Sequence, residues 1–168
     1  MSGKLYIFMR SDIQSLNPGK AMAQAAHAGT AFASNFYEGV YDEILPKNDF
    51  DEWIKEGVDF GTTIVLDADE KKVDSILEEL EKKNIKLPVG KIIDPTYPFK
   101  AQKELIPFLD KDFVMKTDFT IIDHKADSYG MIACTRNEYT CSYLFVWKDE
   151  DIEVLENLIN FYNIKLYR

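Results

Sequence analysis

The chain has 168 residues, a length that suits one domain large enough to bury a core. Its 46% hydrophobic and 29% charged content is typical of a globular protein and excludes collagen, coiled coil and disorder. The formal net charge of −9 counts against a nucleic-acid-binding protein, because phosphate contacts need Lys and Arg, although a local basic patch can supply them.

The cysteine content and the first apolar segment indicate the compartment. Two cysteines, Cys134 and Cys141, are too few for a disulfide scaffold, so we predict reduced, half-buried thiols, with pairing across a hairpin as the alternative. The apolar run at 5–9 is too short for a signal peptide or a membrane span. We therefore expect a cytoplasmic protein with no membrane partner.

The first predicted elements are a strand and a long helix. The apolar run at 5–9 is typical of a buried strand. Asn17 followed by Pro18 predicts an N-cap and the first residue of a helix that ends near Phe36.

The next part of the chain continues this alternation. Residues 46–49 indicate a loop, and residues 51–56 a short helix that ends at Gly57. A strand is predicted at 62–66, an amphipathic helix at about 69–83, and a third strand at 89–93.

Residues 95–138 are predicted to form an excursion from the alternating pattern. Pro95 should end the third strand, and segments 119–122 and 129–134 indicate a β-hairpin. A strand at 140–147 and a helix capped by Asp149 should follow. One face of that helix carries Ile152, Leu155, Ile159 and Tyr162.

The element order predicts an α/β fold, a three-layer α/β/α sandwich around a small mixed β-sheet with a long insertion before the last strand. We expect a single domain over residues 1–168, with 95–138 as an excursion within it. Ligands of such sheets bind beyond the carboxyl ends of the strands, so segments 10–20 and 94–97 should meet there.

The first helix carries the polar side chains that most suggest chemistry. Lys20, Gln24 and His27 are spaced i, i+4 and i+7, so they share one helix face. The free N–H groups of the first turn and the helix dipole favour an anion beside Lys20. Each residue alone has an ordinary explanation as a solvated lysine, a helix-forming glutamine or a core histidine; together they indicate a candidate site.

The same segment resembles the opening of the peptidyl-tRNA hydrolase 2 family, which reads Arg-x-Asp-[Leu/Ile] and then Gly-Lys-x-x-Ala-Gln-x-x-His-Ala. The matching residues are Arg10, Asp12, Ile13, Gly19, Lys20, Ala23, Gln24, His27 and Ala28. Trp53, segment 61–66, Asp94 and segment 140–146 also resemble that family and follow its order.

The resemblance implies hydrolysis of the ester that joins a peptide to tRNA, with tRNA as partner and no metal or organic cofactor. It places the active groups on Lys20, Asp94 and Thr140, and it allows a homodimer. The family reads Asp-Ala-Gly-x-Thr after the third strand, whereas this chain reads Asp94-Pro95-Thr96-Tyr97-Pro98. Thr96 is therefore the candidate substitute for the missing threonine. On the last strand, the residue that supplies the second hydroxyl is Ser142 in this chain, whereas the family has a threonine.

Ester hydrolysis needs an activated water and donors for the developing oxyanion. Asp94 is the candidate that orients or deprotonates water, unless Asp94-Pro95 only begins a turn, and His27 is a second candidate base. Lys20 is the candidate oxyanion or phosphate donor. Hydroxyl donors are expected from Thr96, Thr140 and Ser142.

The expected contacts to tRNA form a basic rim around the strand ends. The rim comprises Arg10, Lys20, Lys91, Lys100, Lys103 and Arg136. Tyr97 and Phe99 are candidates for stacking on bases of a single-stranded end, with a core position for Phe99 as the alternative. The remaining substrate-binding candidates of the matching segment are Asp12, Gly19 and Gln24.

Two other functions stay open at this point. The fold could serve as a catalytically inactive module that binds RNA or a protein, or as an esterase or transferase on another acyl-nucleotide. The missing family threonine after Asp94 favours both of these alternatives over hydrolysis of peptidyl-tRNA. Two His and two Cys are scattered without the ligand spacing of a zinc site, so no metal is predicted.

Overall fold

The computed structural model describes residues 3–13, 16–56, 61–104 and 119–167. These residues form four helices and a six-stranded mixed sheet, which confirms the predicted α/β class. The chain divides into two compact units, one of residues 1–92 with 140–168 and one of residues 93–139. The second unit nearly coincides with the predicted excursion, and the single domain over the whole chain stays a prediction.

The first strand, β1 (Lys4–Met9), lies inside the sheet, whose order is β3-β5-β1-β2-β6. It pairs in parallel with β2 (Thr62–Asp67) and antiparallel with β5 (Met131–Val146). The short β6 (Lys165–Leu166) runs antiparallel beside β2, and β3 (Val89–Gln102) lies next to β5 at the other end of the order. The mixed sheet is therefore centred on the strand nearest the start of the chain.

Four helices accompany these strands in the described residues: α1 (Pro18–Tyr37), α2 (Lys47–Lys55), α3 (Glu70–Lys82) and α4 (Asp149–Phe161). The start of α1 is as predicted, because Oδ1 of Asn17 accepts a 3.0 Å hydrogen bond from the Lys20 backbone N–H and Pro18 opens the helix.

Helix side chains cover both faces of the sheet in the first unit. One core joins α3 and α4 to strand side chains such as Tyr6, Phe8 and Leu144. The other core is aromatic, and Phe32 of α1 contacts the rings of Trp53 and Phe145 within it. Successive residues of a strand point to opposite faces, so Leu144 and Phe145 of β5 lie in different cores.

Three predicted boundaries are wrong. The predicted loop at 46–49 is largely helical, because α2 begins at Lys47. β3 continues through Pro95 to Gln102, which an outermost strand tolerates because a missing N–H can lie on its unpaired side. Asp149 is the first residue of α4, and the N-cap is Lys148, which makes no side-chain cap bond.

The predicted hairpin is confirmed in its pairing. β4 (Phe119–Asp123) runs antiparallel to β5, with Phe119 opposite Arg136. Its partner strand begins at Met131 and continues without interruption to Val146, so two predicted strands form one. Gly57 lies outside the described residues. No helix in the described ranges is long and apolar enough to cross a membrane.

Candidate active site

The segment after β1 is fixed by an ion pair. Arg10 donates to both carboxylate oxygens of Asp12, at 2.9 Å from Nε and 2.5 Å from Nη2. The pKa of Asp12 is lowered, chiefly by this hydrogen bond from the guanidinium. The backbone N–H of Arg10 donates to the carbonyl of Thr140 at 3.0 Å, so this segment is held against β5.

Lys20 lies in the first turn of α1 and is partly buried. Burial lowers the pKa of its ammonium group, because the charged form loses hydration. The neighbouring Gly19 is exposed, and a Cβ there would come no closer than 3.5 Å to Oδ1 of Asn17. Space at this position therefore does not require a glycine.

A buried polar contact joins α1 to β5. The Thr140 hydroxyl donates a 2.7 Å hydrogen bond to Oε1 of Gln24, and both residues are buried. The same hydroxyl lies 3.4 Å from the carbonyl oxygen of Ile92 in β3. Sγ of Cys141 donates to the carbonyl of Gln24 at 3.6 Å. Two residues of the predicted site, Gln24 and Thr140, are therefore in direct contact.

His27 does not share the environment of Gln24. Its side chain is exposed, whereas Gln24 is only 3% exposed and Lys20 lies between these extremes. The common helix face predicted for the three residues is therefore split between core and solvent. A catalytic role for His27 stays a prediction.

Ser142 faces the core of α3 and α4. It lies opposite Phe8 in the antiparallel pairing of β1 and β5, and opposite residues project to the same face of a sheet. Phe8 belongs to the core that α3 and α4 cover, and Ser142 is 4% exposed. Its side chain therefore lies in a core region, and its role as a hydroxyl donor stays a prediction.

In the second unit, Asp94 is paired with Thr96. Oδ1 of Asp94 accepts hydrogen bonds from the backbone N–H of Thr96 at 2.9 Å and from its hydroxyl at 3.1 Å. The carboxylate of Asp94 is therefore engaged locally, with a residue two positions later in β3. Lys20 and Thr140 belong to the first unit, so the meeting of Lys20 with Asp94 stays a prediction.

The aromatic candidates for base stacking lie in the same unit. Tyr97 is fully buried, whereas stacking on a base needs an exposed ring face. The guanidinium of Arg136 lies 4.9 Å from the centre of the Phe99 ring and also pairs with Glu138 at 2.5 Å. Arg136 therefore already covers the second candidate ring.

Four members of the predicted basic rim form ion pairs with carboxylates. Arg10 pairs with Asp12, Arg136 with Glu138 and Lys100 with Asp127. Lys91 lies 3.3 Å from Glu70 and 3.4 Å from Asp74. These acids reduce the positive potential that phosphates would meet.

A buried hydroxyl cluster is a feature that the sequence analysis missed. The hydroxyls of Tyr41 and Tyr143 lie 2.7 Å apart, and Nδ2 of Asn35 donates to the Tyr143 hydroxyl at 2.8 Å. Burial raises the pKa of Tyr143 above its usual range. Tyr143 is more than 100 positions from its partners, so no local pattern could identify the cluster.

Neither cysteine is in a disulfide, as predicted, and both are fully rather than half buried. Burial raises the pKa of the Cys141 thiol to about 12. Within the described part of the chain, no group of three or more His, Cys, Asp or Glu could hold a metal ion.

A family model described as peptidyl-tRNA hydrolase PTH2 matches residues 3–96, more than half of the 168 residues. The chain belongs to the peptidyl-tRNA hydrolase 2 family. The match includes Lys20, Gln24 and Asp94, whereas Thr140 lies outside it. A search of curated proteins gave no significant match.

Proposed function

We propose that this protein hydrolyses the ester bond of peptidyl-tRNA and releases peptide and tRNA. Family membership supports the reaction class. The observation that carries the proposal is the buried bond from Thr140 to Gln24, because it joins the family helix to the last long strand within one turn of Lys20.

Lys20 is proposed as the donor to the developing oxyanion. Its ammonium is partly desolvated, and a cation in a region of low dielectric stabilises nearby negative charge more strongly than one in bulk water. Its position in the first turn of α1 adds the N-terminal end of the helix dipole to the same region.

Asp94 is proposed as the base for the attacking water. Its carboxylate would take the water proton while the water oxygen attacks the acyl carbon, and the same proton would pass to the ribose oxygen as the ester C–O bond breaks. The Thr96 hydroxyl donates a hydrogen bond to Oδ1 of Asp94 and so orients the carboxylate. Thr96 thereby supplies a hydroxyl at a position different from that of the family threonine. No covalent enzyme intermediate is needed for this sequence of steps.

The proposed partner is tRNA in the cytoplasm. Lys20 lies in the first turn of α1, where an anion such as a phosphate would also meet backbone N–H groups. Arg10, directly after β1, is the second candidate cation. With −9 formal net charge over the chain, binding should depend on such local groups and weaken with salt. A homodimer stays a prediction.

The test is release of free peptide from a labelled N-acetyl-aminoacyl-tRNA by the purified chain. Lys20→Ala and Asp94→Asn should each lower kcat/KM by at least about 100-fold, the usual effect of removing an acid–base or oxyanion group. Matched controls are Lys71→Ala and Asp42→Asn, which change exposed residues of the same types and should retain turnover.

Three results would separate the candidate functions. Turnover abolished by both site variants and retained by both controls supports the esterase. Salt-dependent tRNA binding without turnover would overturn it in favour of a binding module. Turnover that survives both substitutions would instead reject the assignment of Lys20 and Asp94.

A further inference from the structure

Thr140 is fully buried, whereas a hydroxyl that donates to a substrate must reach the solvent-accessible site. It is 0% exposed, and its hydroxyl donates the 2.7 Å bond to Oε1 of Gln24, which is itself only 3% exposed. A threonine hydroxyl carries one hydrogen to donate, and this buried bond uses it. Thr140 therefore influences the reaction only through the residues that it holds.

The backbone and side chain of Thr140 tie three elements of the first unit to β5. Its carbonyl accepts a 3.0 Å hydrogen bond from the backbone N–H of Arg10, in the segment after β1. Its hydroxyl bonds Gln24 in α1 and lies 3.4 Å from the carbonyl oxygen of Ile92 in β3. The next residue of β5, Cys141, donates from Sγ to the carbonyl of Gln24 at 3.6 Å. The side chain and the backbone of Gln24 are therefore both held by β5.

Gln24 lies one turn after Lys20 in α1. In an α-helix the N–H of residue i donates to the carbonyl of residue i−4, so the helical bond of Gln24 runs to Lys20. Helix ends fray because the first four N–H groups have no such partner within the helix. In this first turn, Oδ1 of Asn17 accepts the Lys20 N–H on one side, and the buried Gln24 holds the helix on the other. The backbone of the lysine is thus fixed between a cap and a buried anchor.

A second bond of the same kind ties the far end of α1 to β5. Nδ2 of Asn35 donates to the Tyr143 hydroxyl at 2.8 Å. Like the bond between Gln24 and Thr140, it joins an amide side chain of the helix to a hydroxyl of the strand. Asn35 lies about four turns after Lys20. The second bond therefore serves as an internal reference for effects on stability that do not involve the lysine.

We propose that Gln24 and Thr140 are positioning residues for Lys20, an inference that rests on the proposed hydrolase function. Their buried bond holds the first turn of α1 where the Lys20 ammonium meets the developing oxyanion, and neither side chain touches the substrate. Such support matters because a displacement of about 1 Å at a catalytic group can cost about 100-fold in rate. The threonine of the last strand thus supports the lysine and does not donate to the ester.

The kinetic test uses the labelled N-acetyl-aminoacyl-tRNA at a temperature where circular dichroism shows each variant folded. Thr140→Val and Gln24→Leu should each lower kcat by about tenfold or more with little change in KM, because the substrate contacts remain while Lys20 is displaced. The double variant should be no worse than either single variant, since both break the same bond. Thr140→Ser keeps the hydroxyl and should retain most of the wild-type kcat. Tyr143→Phe, the matched control, breaks the second bond and should keep the wild-type kcat.

A second measurement follows Lys20 itself and needs no substrate. Burial lowers the pKa of its ammonium, so a displaced first turn should hydrate the group and raise that pKa toward the ordinary value for lysine. NMR of the protein with ¹³C-labelled lysine measures this pKa, and the signal is assigned by its loss in Lys20→Ala. The pKa should rise in Thr140→Val and in Gln24→Leu, and it should stay unchanged in Tyr143→Phe.

The results separate a positioning role from a catalytic one and from a purely structural one. If Thr140→Val lowers kcat while Gln24→Leu does not, the threonine touches the substrate and the proposal is overturned. An unchanged kcat or an unchanged Lys20 pKa in both variants, or an equal loss of kcat in Tyr143→Phe, would also overturn it. If the wild type shows no turnover, the hydrolase function fails, whereas a raised Lys20 pKa in both variants would still support the positioning by Gln24 and Thr140.

Discussion

The hydroxyl of Thr140 donates a 2.7 Å hydrogen bond to Oε1 of Gln24, and both side chains are buried. Thr140→Val removes the donor while keeping a β-branched side chain. We expect a loss of about 1–3 kcal/mol in the free energy of unfolding, because a buried acceptor loses its partner. Urea denaturation measures the loss.

The double variant Gln24→Leu/Thr140→Val supplies the control for this prediction. It removes both partners of the hydrogen bond. Its loss in the free energy of unfolding should therefore be smaller than the sum of the losses of the two single variants, by about 0.5 kcal/mol or more, the lower limit for residues in contact. Strict additivity of the two losses would show that the bond contributes nothing to stability.

Gly61 has a φ of +67°, and a Cβ there would overlap the Trp53 ring. Gly61→Ala should therefore destabilise the fold by more than about 2 kcal/mol, since left-handed backbone and a steric clash both oppose alanine. Thermal unfolding by circular dichroism is the measurement.

Gly29→Ala is the matched control for Gly61→Ala. Gly29 lies inside α1, and an added Cβ would meet nothing within 4 Å. Alanine should stabilise this helix by about 0.5–1 kcal/mol. Equal effects of the two substitutions, in either direction, would contradict the assignment of strain to Gly61.

Glu156 of α4 accepts hydrogen bonds from Nζ of Lys4 at 2.6 Å and from the Tyr6 hydroxyl at 2.9 Å. Its pKa is lowered, first by the Lys4 bond. A lowered folded-state pKa gives stability that is present above the unfolded pKa, about 4.3, and is lost as pH falls through the folded value.

We therefore expect Glu156→Gln to destabilise the protein at pH 7 by less than about 1 kcal/mol, because the carboxylate is half exposed. The difference from wild type should shrink toward pH 3, where the wild-type carboxyl is also neutral. Guanidinium denaturation at several pH values measures it, with Glu153→Gln, an exposed residue of the same helix, as control. A difference that grows on acidification would have the wrong sign.

The Cys141 thiol should be unreactive in the folded protein. With a pKa of about 12, roughly 10⁻⁴ of it is thiolate at pH 8, and the side chain is buried. A chromogenic disulfide reagent should label neither cysteine over minutes in buffer and both after unfolding. After unfolding, Cys141→Ser should release one equivalent of the chromophore, because only Cys134 remains to react. Rapid labelling of the native wild type would contradict the burial of the cysteines.

The sequence predicted the elements whose signals are local. The Asn17-Pro18 start of α1 and the strand at 62–66 both rest on neighbouring residues, and both are confirmed. The end of β3 was missed because Pro95 breaks a central strand but not an outermost one, and position in the sheet is not a local property.

For the candidate site too, the sequence identified residues by local patterns but not the contacts that depend on tertiary packing. The family motif singled out Gln24 and Thr140, but periodicity did not indicate that their side chains meet, because that contact depends on the packing of α1 on β5. Helical spacing also grouped His27 with Gln24, although the sheet covers only one of them. Spacing defines a face, and tertiary packing decides which part of that face is buried.

The register of β1 with β5 has a consequence for synthesis on the ribosome. Lys4 pairs with Val146 and Met9 with Cys141, so one edge of the innermost strand acquires its partner only after most of the chain has emerged. Until then the nascent chain presents an apolar strand edge that other strands can join. A holding chaperone would protect this edge during that interval, whereas slow translation of residues 141–146 would prolong its exposure.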